Sequence, residues 1–204
     1  KSAKARKKEN CFLVEGPRMF FEIPRDRVVE CYLTEEFAGK YDKELRGWNY
    51  ELISENVCRH LSDTKTPQGV IAVVRKEEPA IEELNKEKNP CFFLLESLQD
   101  PGNLGTIVRT AEGAGVTGII MNKETVDIYN PKVIRSTMGA IFRVPFVITY
   151  DLPQVVEQLK QKGISVYAGH LKGDVFYKQD YRNGSAFLIG NEGNGLTDEI
   201  TALA

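Results

Sequence analysis

The stretch that decides the fold runs from residue 91 to residue 111, CFFLLESLQDPGNLGTIVRTA. Its first five residues are continuously apolar, which is typical of a strand buried on both faces, and we predict a strand over residues 91–97. The triplet Asp100-Pro101-Gly102 interrupts the apolar pattern. A helix is predicted next, over residues 103–113, because apolar side chains return at helical spacing, at Leu104, Ile107, Val108 and Ala111.

The polar side of this helix carries the candidate chemistry. At about 100° per residue, Gly105, Arg109 and Glu112 fall together on the side turned away from the apolar stripe. Arg109 is therefore predicted to point outward, beyond the carboxyl end of a strand, where open α/β sheets bind ligands. The alternative is a solvated arginine on an ordinary surface helix.

Strand and helix signals alternate along the whole chain. Residues 1–76 carry short units and predict a small α/β domain, residues 77–90 a charged linker rich in Glu and Lys, and residues 91–204 a larger domain. In the larger domain, further strands are predicted near 117–121, 144–149, 164–168 and 186–190, and further helices near 131–139 and 153–162. Strands separated by helices indicate a mostly parallel sheet covered on both faces, so the predicted class is α/β.

Composition narrows the class of protein. Apolar residues make up 42% of the chain, and no apolar run approaches the roughly 20 residues of a membrane span, so no membrane partner is expected. The four cysteines are far apart and form no CxxC pair, which favours a reduced, cytoplasmic protein. No metal site is expected, because neither His60 nor His170 has ligand spacing to other His, Cys or Asp residues.

Charge gives only a local signal for nucleic acid. The net charge is −2, so global attraction does not explain binding to an anionic polymer. Basic residues crowd the first eight positions, at Lys1, Lys4, Arg6, Lys7 and Lys8. They can lie along phosphates or form a solvated terminus.

A second glycine-rich segment follows the strand predicted near residues 186–190. Its sequence, GNEGNGL over residues 190–196, contains one carboxylate, Glu192. Glycines there let the backbone approach a ligand closely. The alternative is an ordinary turn with Glu192 in solvent.

The GxGxxG pattern of residues 113–118 does not predict a dinucleotide site. It leaves a helix and opens a strand, which is the reverse of the order in such a site, so it predicts only a helix end and a turn.

Taken together, the two segments resemble a known family. NxGxxxRxA at residues 103–111 and GNEGxGL at residues 190–196 resemble the first two signature motifs of the SpoU/TrmH family, knotted RNA ribose 2′-O-methyltransferases of the SPOUT superfamily. Residues 135–145 are similar to the family's segment between these motifs. Residues 12–16 and 68–72 resemble its small L30e-like substrate-binding domain, so the resemblance covers nearly the entire chain.

The family's third motif has no counterpart here. It should follow a helix that begins near Thr197, and the sequence ends at Ala204. We therefore expect the methyltransferase domain over residues 91–204 to be incomplete at its C-terminus. The trefoil knot of the family is expected only if the missing segment exists.

The resemblance implies transfer of a methyl group from S-adenosylmethionine to a ribose 2′-hydroxyl of structured RNA, with ribosomal RNA favoured over transfer RNA. It makes Arg109 the central catalytic residue, with Asn103 and Glu192 beside it. A guanidinium stays charged and has no acceptor lone pair, so we expect Arg109 to bind a phosphate and stabilise the developing alkoxide rather than act as a base. Asn103 is alternatively a helix N-cap, and Glu192 either holds Arg109 or caps the next helix.

By the same resemblance, S-adenosylmethionine is held by two loops at strand ends. The residues implied are Gly169, His170, Leu171, Gly190, Asn191, Gly193 and Asn194. His170 is alternatively a histidine of the loop surface. RNA is expected to bind the first domain and the basic terminus, and a homodimer is implied. The rival hypothesis is a non-catalytic RNA-binding or ribosome-assembly protein that retains the fold.

Overall fold

The structure of the protein is a computed structural model that describes residues 2–77, 79–84, 87–171 and 173–204. Lys1 of the basic terminus and residues 78, 85 and 86 of the predicted linker lie outside the described residues. The chain divides into two compact units. The first contains Lys1–Glu77 and Tyr129–Phe142, and the second contains Glu78–Ile128 and Arg143–Ala204.

The first unit is a small α/β layer built on a four-stranded sheet. In chain order its elements are α1 (Ala3–Lys8), β1 (Cys11–Glu15), α2 (Pro17–Phe20), β2 (Val28–Leu33), α3 (Glu35–Lys40), β3 (Glu51–Leu52), α4 (Glu55–Leu61), β4 (Val70–Arg75) and α7 (Pro131–Thr137). The strand order is β1-β4-β2-β3, in which β4 runs antiparallel to both neighbours and β3 runs parallel to β2. Phe12, Val14 and Leu33 are buried in its core.

The second unit contains a five-stranded sheet. Its elements are α5 (Ile81–Leu84), β5 (Cys91–Leu95), α6 (Pro101–Gly113), β6 (Gly118–Asn122), β7 (Phe146–Thr149), α8 (Leu152–Gln161), β8 (Ser165–Ala168), β9 (Ser185–Ile189) and α9 (Asp198–Thr201). The strand order is β7-β6-β5-β9-β8, and every neighbouring pair is parallel. The α/β class and the parallel sheet are therefore confirmed. All five carboxyl ends lie along one edge of the sheet, with β5 at its centre.

The apolar patterns explain how these elements pack. Phe92, Leu94 and Leu95 of the central strand are buried, as a strand covered on both faces requires. In α8, apolar residues recur at helical spacing and all are buried, at Leu152, Val155, Val156 and Leu159. This stripe packs against α9 and the sheet, in one core cluster with Leu94 and Leu188.

Helix α6 begins two residues earlier than predicted. The side chain of Asp100 accepts a hydrogen bond from the backbone amide of Asn103 (2.8 Å), and Pro101 occupies the first helical position, where its missing N–H costs nothing. Leu104, Val108 and Ala111 are buried as predicted, and Arg109 is exposed. Gly105 was predicted on the outward side and is buried instead, since the apolar stripe is one residue wider than the pattern indicated.

The GxGxxG pattern does mark a helix end and a turn. Helix α6 ends at Gly113 and β6 begins at Gly118, and between them Gly115 adopts a φ of +66°, which favours glycine. The helix predicted over 131–139 ends at Thr137, because Met138 and Gly139 adopt φ values of 52° and 98°.

Residues 129–142 belong to the first unit rather than to the predicted larger domain. Tyr129 is buried there, its ring centroid lying 4.8 Å from that of Phe12, and its hydroxyl donates to the carbonyl of Glu77 (2.8 Å). Contacts between this segment and the first unit, such as that of Tyr129 with Phe12, join residues distant in sequence, so local composition does not reveal them.

Candidate active site at the carboxyl edge of the parallel sheet

The two sequence motifs meet through the carboxylate of Glu192. One carboxylate oxygen accepts hydrogen bonds from the backbone amide of Asp100 (3.0 Å) and the side-chain amide of Asn103 (3.2 Å). The other accepts from the backbone amide of Gln99 (3.0 Å). The site therefore joins the exit of β5 and the first turn of α6 to the glycine-rich loop that follows β9.

These contacts decide the alternatives that the sequence left open. Asn103 is not the N-cap of α6, because Asp100 has that role. Glu192 does not cap α9, whose N-cap is Thr197, with a hydroxyl that accepts from the amide of Ile200 (3.3 Å).

The prediction that Glu192 holds Arg109 is wrong in its direct form. The hydrogen-bond donors to the carboxylate lie at and just before the start of α6, and Arg109 lies six residues after Asn103, about 9 Å further along the helix axis. Glu192 therefore positions the helix that carries Arg109, and not the guanidinium itself.

The same hydrogen bonds keep Glu192 ionised. Burial raises the pKa of its carboxyl, but hydrogen bonds from the amides of Gln99 and Asp100, from its own amide and from Asn103 outweigh it and lower the pKa to about 2. At neutral pH the carboxylate is an acceptor only, which matches the donors around it.

The loop after β9 is closed by its own hydrogen bonds. Asn191 and Gly195 exchange two backbone bonds (3.0 and 2.9 Å), and the Asn191 side-chain oxygen accepts from the amides of Gly193 (2.9 Å) and Asn194 (3.0 Å). At Gly190 a Cβ would lie 2.2 Å from the carbonyl carbon of Gly195, so only glycine fits there. Asn191, predicted to touch the cofactor, shapes the loop with its side chain; its role toward a ligand stays a prediction.

Sequence reasoning missed the residue at the centre of this edge, Ser97. It adopts a φ of 56°, its amide donates to the side chain of Asn122 (2.8 Å), and its carbonyl accepts from the side chains of Asn191 (2.8 Å) and Gln99 (3.2 Å). Ser97 thus ties together the exits of β5, β6 and β9. The available signal was a run of polar residues directly after an apolar strand.

The buried carboxylate of Glu96 holds the end of the glycine-rich loop that follows β9. It is 7% exposed, and its two oxygens accept from the amide (2.9 Å) and the hydroxyl (2.8 Å) of Thr197. This pair spans 101 positions of sequence and fixes the far end of the glycine-rich loop. Residue type alone did not distinguish Glu96 from a solvated glutamate.

Arg109 lies on the exposed face of α6, as predicted. Within the described ranges, no hydrogen bond or ion pair engages its guanidinium. Glu112, the nearest carboxylate along the helix, is paired with Arg143 instead. The cation of Arg109 is therefore available to an anionic ligand.

The predicted cofactor residues fall into two groups. Gly169 and His170 line an open cleft of about 1050 Å³ at the exit of β8, whereas Leu171 points fully into solvent. The loop from Gly190 to Asn194 adjoins the exit of β5 and does not line this cleft.

Aromatic rings form one wall of the cleft. Tyr167 and Phe187 stack with ring centroids 5.6 Å apart, and Tyr181 packs within 5.5 Å of both. Flat apolar walls beside exposed glycine backbone suit a planar heterocycle with polar edges.

Membrane-spanning helices and metal-binding clusters are absent from the described part of the chain. No helix there is long and apolar enough to cross a membrane. No cluster of His, Cys, Asp or Glu side chains among the same residues has the arrangement of a metal site.

Comparison with known proteins identifies the family. The model of the SpoU rRNA Methylase family matches residues 90–204, more than half of the chain. The chain belongs to the SpoU rRNA methylase family. The model of the MRM3-like substrate binding domain matches residues 1–72, which confirms the resemblance for the first unit as well.

Two curated members of the SpoU family are similar along most of the chain. The 23S rRNA (guanosine(2553)-2′-O)-methyltransferase RlmP of Bacillus subtilis (strain 168) is 34% identical over 95% of this chain and 76% of its own length. The mitochondrial rRNA methyltransferase 3 of Xenopus tropicalis is 31% identical over 95% of this chain. The chain spans about half of that second relative, 51%.

A solved structure gives the same fold. The AdoMet-bound rRNA methyltransferase from Sinorhizobium meliloti is 26% identical and superimposes with a TM-score of 0.81, over 98% of this chain and 78% of that one. The fold is thus that of the SPOUT methyltransferases, and the chain is a member of a family of RNA methyltransferases. The trefoil knot stays a prediction.

Proposed function

We propose that the protein transfers a methyl group from S-adenosylmethionine to a ribose 2′-hydroxyl of ribosomal RNA. The family, the two rRNA-modifying relatives and the AdoMet-bound structural neighbour support this activity. The comparisons give no support to the rival hypothesis of a non-catalytic RNA-binding or assembly protein.

One observation links the proposed activity to particular residues of this chain. Asn103 and Glu192, 89 positions apart, are hydrogen-bonded at the carboxyl edge of the parallel sheet. Open α/β folds place their ligands at this edge. Both motif segments are therefore assembled, and the exposed Arg109 lies on the helix that they anchor.

Arg109 acts on the RNA electrostatically. Its guanidinium forms paired hydrogen bonds to a phosphate of the substrate, which fixes the ribose hydroxyl against the methyl group. The same charge stabilises the alkoxide that develops as the hydroxyl loses its proton. Asn103 and Glu192 are positioning residues, since their hydrogen bond holds the first turn of α6 against the loop after β9.

The residues at the β8 and β9 exits fit S-adenosylmethionine. The volume of about 1050 Å³, the Tyr167–Phe187 stack and the backbone at Gly169 and His170 would hold its adenosine part. The loop after β9 would contact the cofactor from outside this cleft, through Gly190, Asn191, Gly193 and Asn194. When bound, its sulfonium supplies an electrophilic methyl group.

The reaction balances without a further reagent. S-adenosylmethionine would supply both the methyl group for the 2′-oxygen and, in its sulfur, the leaving group that keeps the electron pair. The hydroxyl proton goes to a substrate phosphate held by Arg109 or to water. No protein base is required, which agrees with a site whose ionised carboxylate, Glu192, is already saturated with donors.

RNA binding involves the first unit and the basic terminus. Lys4, Lys7 and Lys8 lie on α1, where they can follow a phosphate backbone. We infer further that the protein acts in the cytoplasm and forms a homodimer. Sedimentation velocity of the purified protein tests the homodimer directly.

A labelling experiment tests the activity. The protein is incubated with S-adenosylmethionine carrying a tritiated methyl group and with unmodified transcripts of bacterial 16S and 23S rRNA, with a transfer RNA pool alongside. A 2′-O-methyl group blocks alkaline cleavage, so label is expected in alkali-resistant dinucleotides of ribosomal RNA. Label in alkali-released mononucleotides, or none in ribosomal RNA, would overturn the proposal.

A further inference from the structure

An exposed aromatic–cation pair lies on the same sheet edge as the active site. Tyr150 directly follows β7 and Lys123 directly follows β6, and the two strands are neighbours in register at Asn122 and Thr149. Tyr150 is 82% exposed, and the ammonium nitrogen of Lys123 lies 5.3 Å from the centre of its ring.

The fold does not use the Tyr150 ring for packing. Its hydroxyl forms no hydrogen bond with the described residues, and a tyrosine this exposed adds little to a core. The backbone beneath it is nevertheless fixed. The hydroxyl of Thr149 accepts from the amide of Asp151 (3.1 Å), and the amide of Lys123 donates to the carbonyl of Thr149 (3.1 Å).

A hydrogen-bonded path joins this pair to the active site. The side chain of Gln99 donates to the carbonyl of Glu124 (2.8 Å), next to Lys123, while the amide of Gln99 donates to Glu192 (3.0 Å). Neighbouring strands lie about 4.8 Å apart, so the exits of β7 and β9 are separated by roughly 15 Å. A nucleotide close to the target ribose can reach that far.

We propose that Tyr150 and Lys123 form a platform for an unpaired RNA nucleotide that flanks the methylated one. The inference rests on the proposed function and names part of its substrate site. The base stacks on the tyrosine ring, as unpaired RNA bases do on aromatic side chains, and the ammonium binds the adjoining phosphate. The contact is sequence-tolerant, because every base has a stacking face.

Position favours RNA over a second copy of the chain as the occupant, because the pair lies on the same carboxyl edge of the sheet as the hydrogen-bonded Asn103 and Glu192. Lys123 is already paired with Glu124, whose carboxylate lies 3.7 Å from its ammonium, but both side chains are half-exposed, so this ion pair is weak and can be exchanged for a phosphate.

Steady-state methylation of the 23S rRNA transcript separates the roles of the two side chains. Tyr150→Leu keeps an apolar side chain but removes the ring, and should raise KM for RNA roughly five- to fiftyfold with kcat within about twofold. Tyr150→Phe should behave like the parent protein. Lys123→Ala should lower the dependence of log KM on log salt concentration by about one unit, unlike Lys162→Ala at the opposite edge of the sheet.

A binding measurement keeps the platform testable if methylation fails. A single-stranded oligoribonucleotide containing 2-aminopurine should lose fluorescence on binding the parent protein and Tyr150→Phe, and much less with Tyr150→Leu. Equal quenching by all three proteins would overturn the platform whatever the activity. The platform would also be overturned if Tyr150→Leu changed the sedimentation coefficient of the protein but left its RNA binding unaltered. This face would then join copies of the chain. Absence of methylation with normal quenching would refute only the proposed function.

Discussion

The exits of β5 and β9 differ from the exit of β8, although the three strands end at one edge of one sheet. The first two are cross-linked by hydrogen bonds that Asn191 donates to Ser97, Gln99 to Glu192, and Thr197 to Glu96. After β8, the chain lines a cleft with aromatic rings and glycine backbone, and its backbone bond from Gly169 to Leu188 is long, at 3.4 Å.

This contrast has a physical meaning. Groups that orient a reacting atom must be held in place before the substrate arrives, whereas loops that enclose a cofactor must open and close. The cross-linked exits of β5 and β9, the tight junction, carry the helix of Arg109 and four of the residues predicted to hold S-adenosylmethionine, Gly190, Asn191, Gly193 and Asn194. The open cleft carries two others, Gly169 and His170. Rigidity and adaptability are thus separated across neighbouring strands.

The strongest way to break the contrast is to add one methyl group to each region. In Gly190→Ala the new Cβ meets the backbone of Gly195 at 2.2 Å, and we expect a loss of at least about 3 kcal/mol in the free energy of unfolding. In Gly169→Ala the nearest atom is 3.9 Å away, and the change should stay within about 1 kcal/mol. Urea denaturation measures both, with Gly193→Ala as a control inside the tight loop. Equal losses at 190 and 169 would contradict the contrast.

The second change removes the positive charge of Arg109, which lies on the helix that Glu192 positions. Arg109→Ala should lower kcat for methyl transfer roughly 10²- to 10³-fold, since it deletes stabilisation of developing negative charge. RNA affinity should stay within a few-fold, because one phosphate contact among many is lost. Single-turnover transfer and filter binding measure the two quantities. Normal single-turnover transfer would refute the assigned role, and Arg143→Ala controls for loss of a nearby arginine.

The third change tests the buried pair of Glu96 and Thr197, which holds the end of the glycine-rich loop to the exit of β5. Glu96→Gln places an amide donor against the donors of Thr197, and we expect a loss of about 1–3 kcal/mol in unfolding free energy. Thr197→Val also removes the N-cap of α9, so it should add a capping loss to that of Glu96→Gln, but less than its full cost alone, because the two changes share the Glu96–Thr197 interaction. Strict additivity in this double-mutant cycle would show that they act independently.

The smallest expected effect is a pH dependence carried by Glu192. Its folded pKa of about 2 lies below the usual 4.5, so its contribution to stability is complete above pH 4.5 and is lost as pH falls toward 2. Because the side chain is exposed, solvent screening limits this contribution to about 1 kcal/mol. The difference in unfolding free energy between the parent protein and Glu192→Gln should therefore shrink between pH 4.5 and 2. Glu199→Gln, at the start of α9, is the matched control for replacing an exposed glutamate.

Much of this architecture could be predicted from the sequence. Continuous apolar runs such as residues 91–95 fixed the strands, and helices between them required a parallel sheet whose loops share one edge. That topology brings residues 103 and 192 to the same edge. The exposure of Arg109 followed from helical spacing.

The partners of Glu192 could not be predicted in the same way. Two of its three donors outside its own residue are backbone amides, at Gln99 and Asp100, and every residue except proline offers such a donor. Ser97 and Glu96 were missed for a related reason, since their roles depend on distant residues that approach only in the folded chain. The position of Arg109 was easier to predict because its exposure depends only on helical spacing within α6.

The hydrogen bond between Asn103 and Glu192 also sets the order in which the active centre matures during translation. Synthesis proceeds at about 5–20 residues per second, so a nascent chain presents Arg109 for several seconds before the carboxylate that anchors its helix has been made. Pairing of β5 with β9 closes a long loop and comes late. The helix that carries Arg109 therefore gains this anchor only after residue 192 has been synthesised, late in folding.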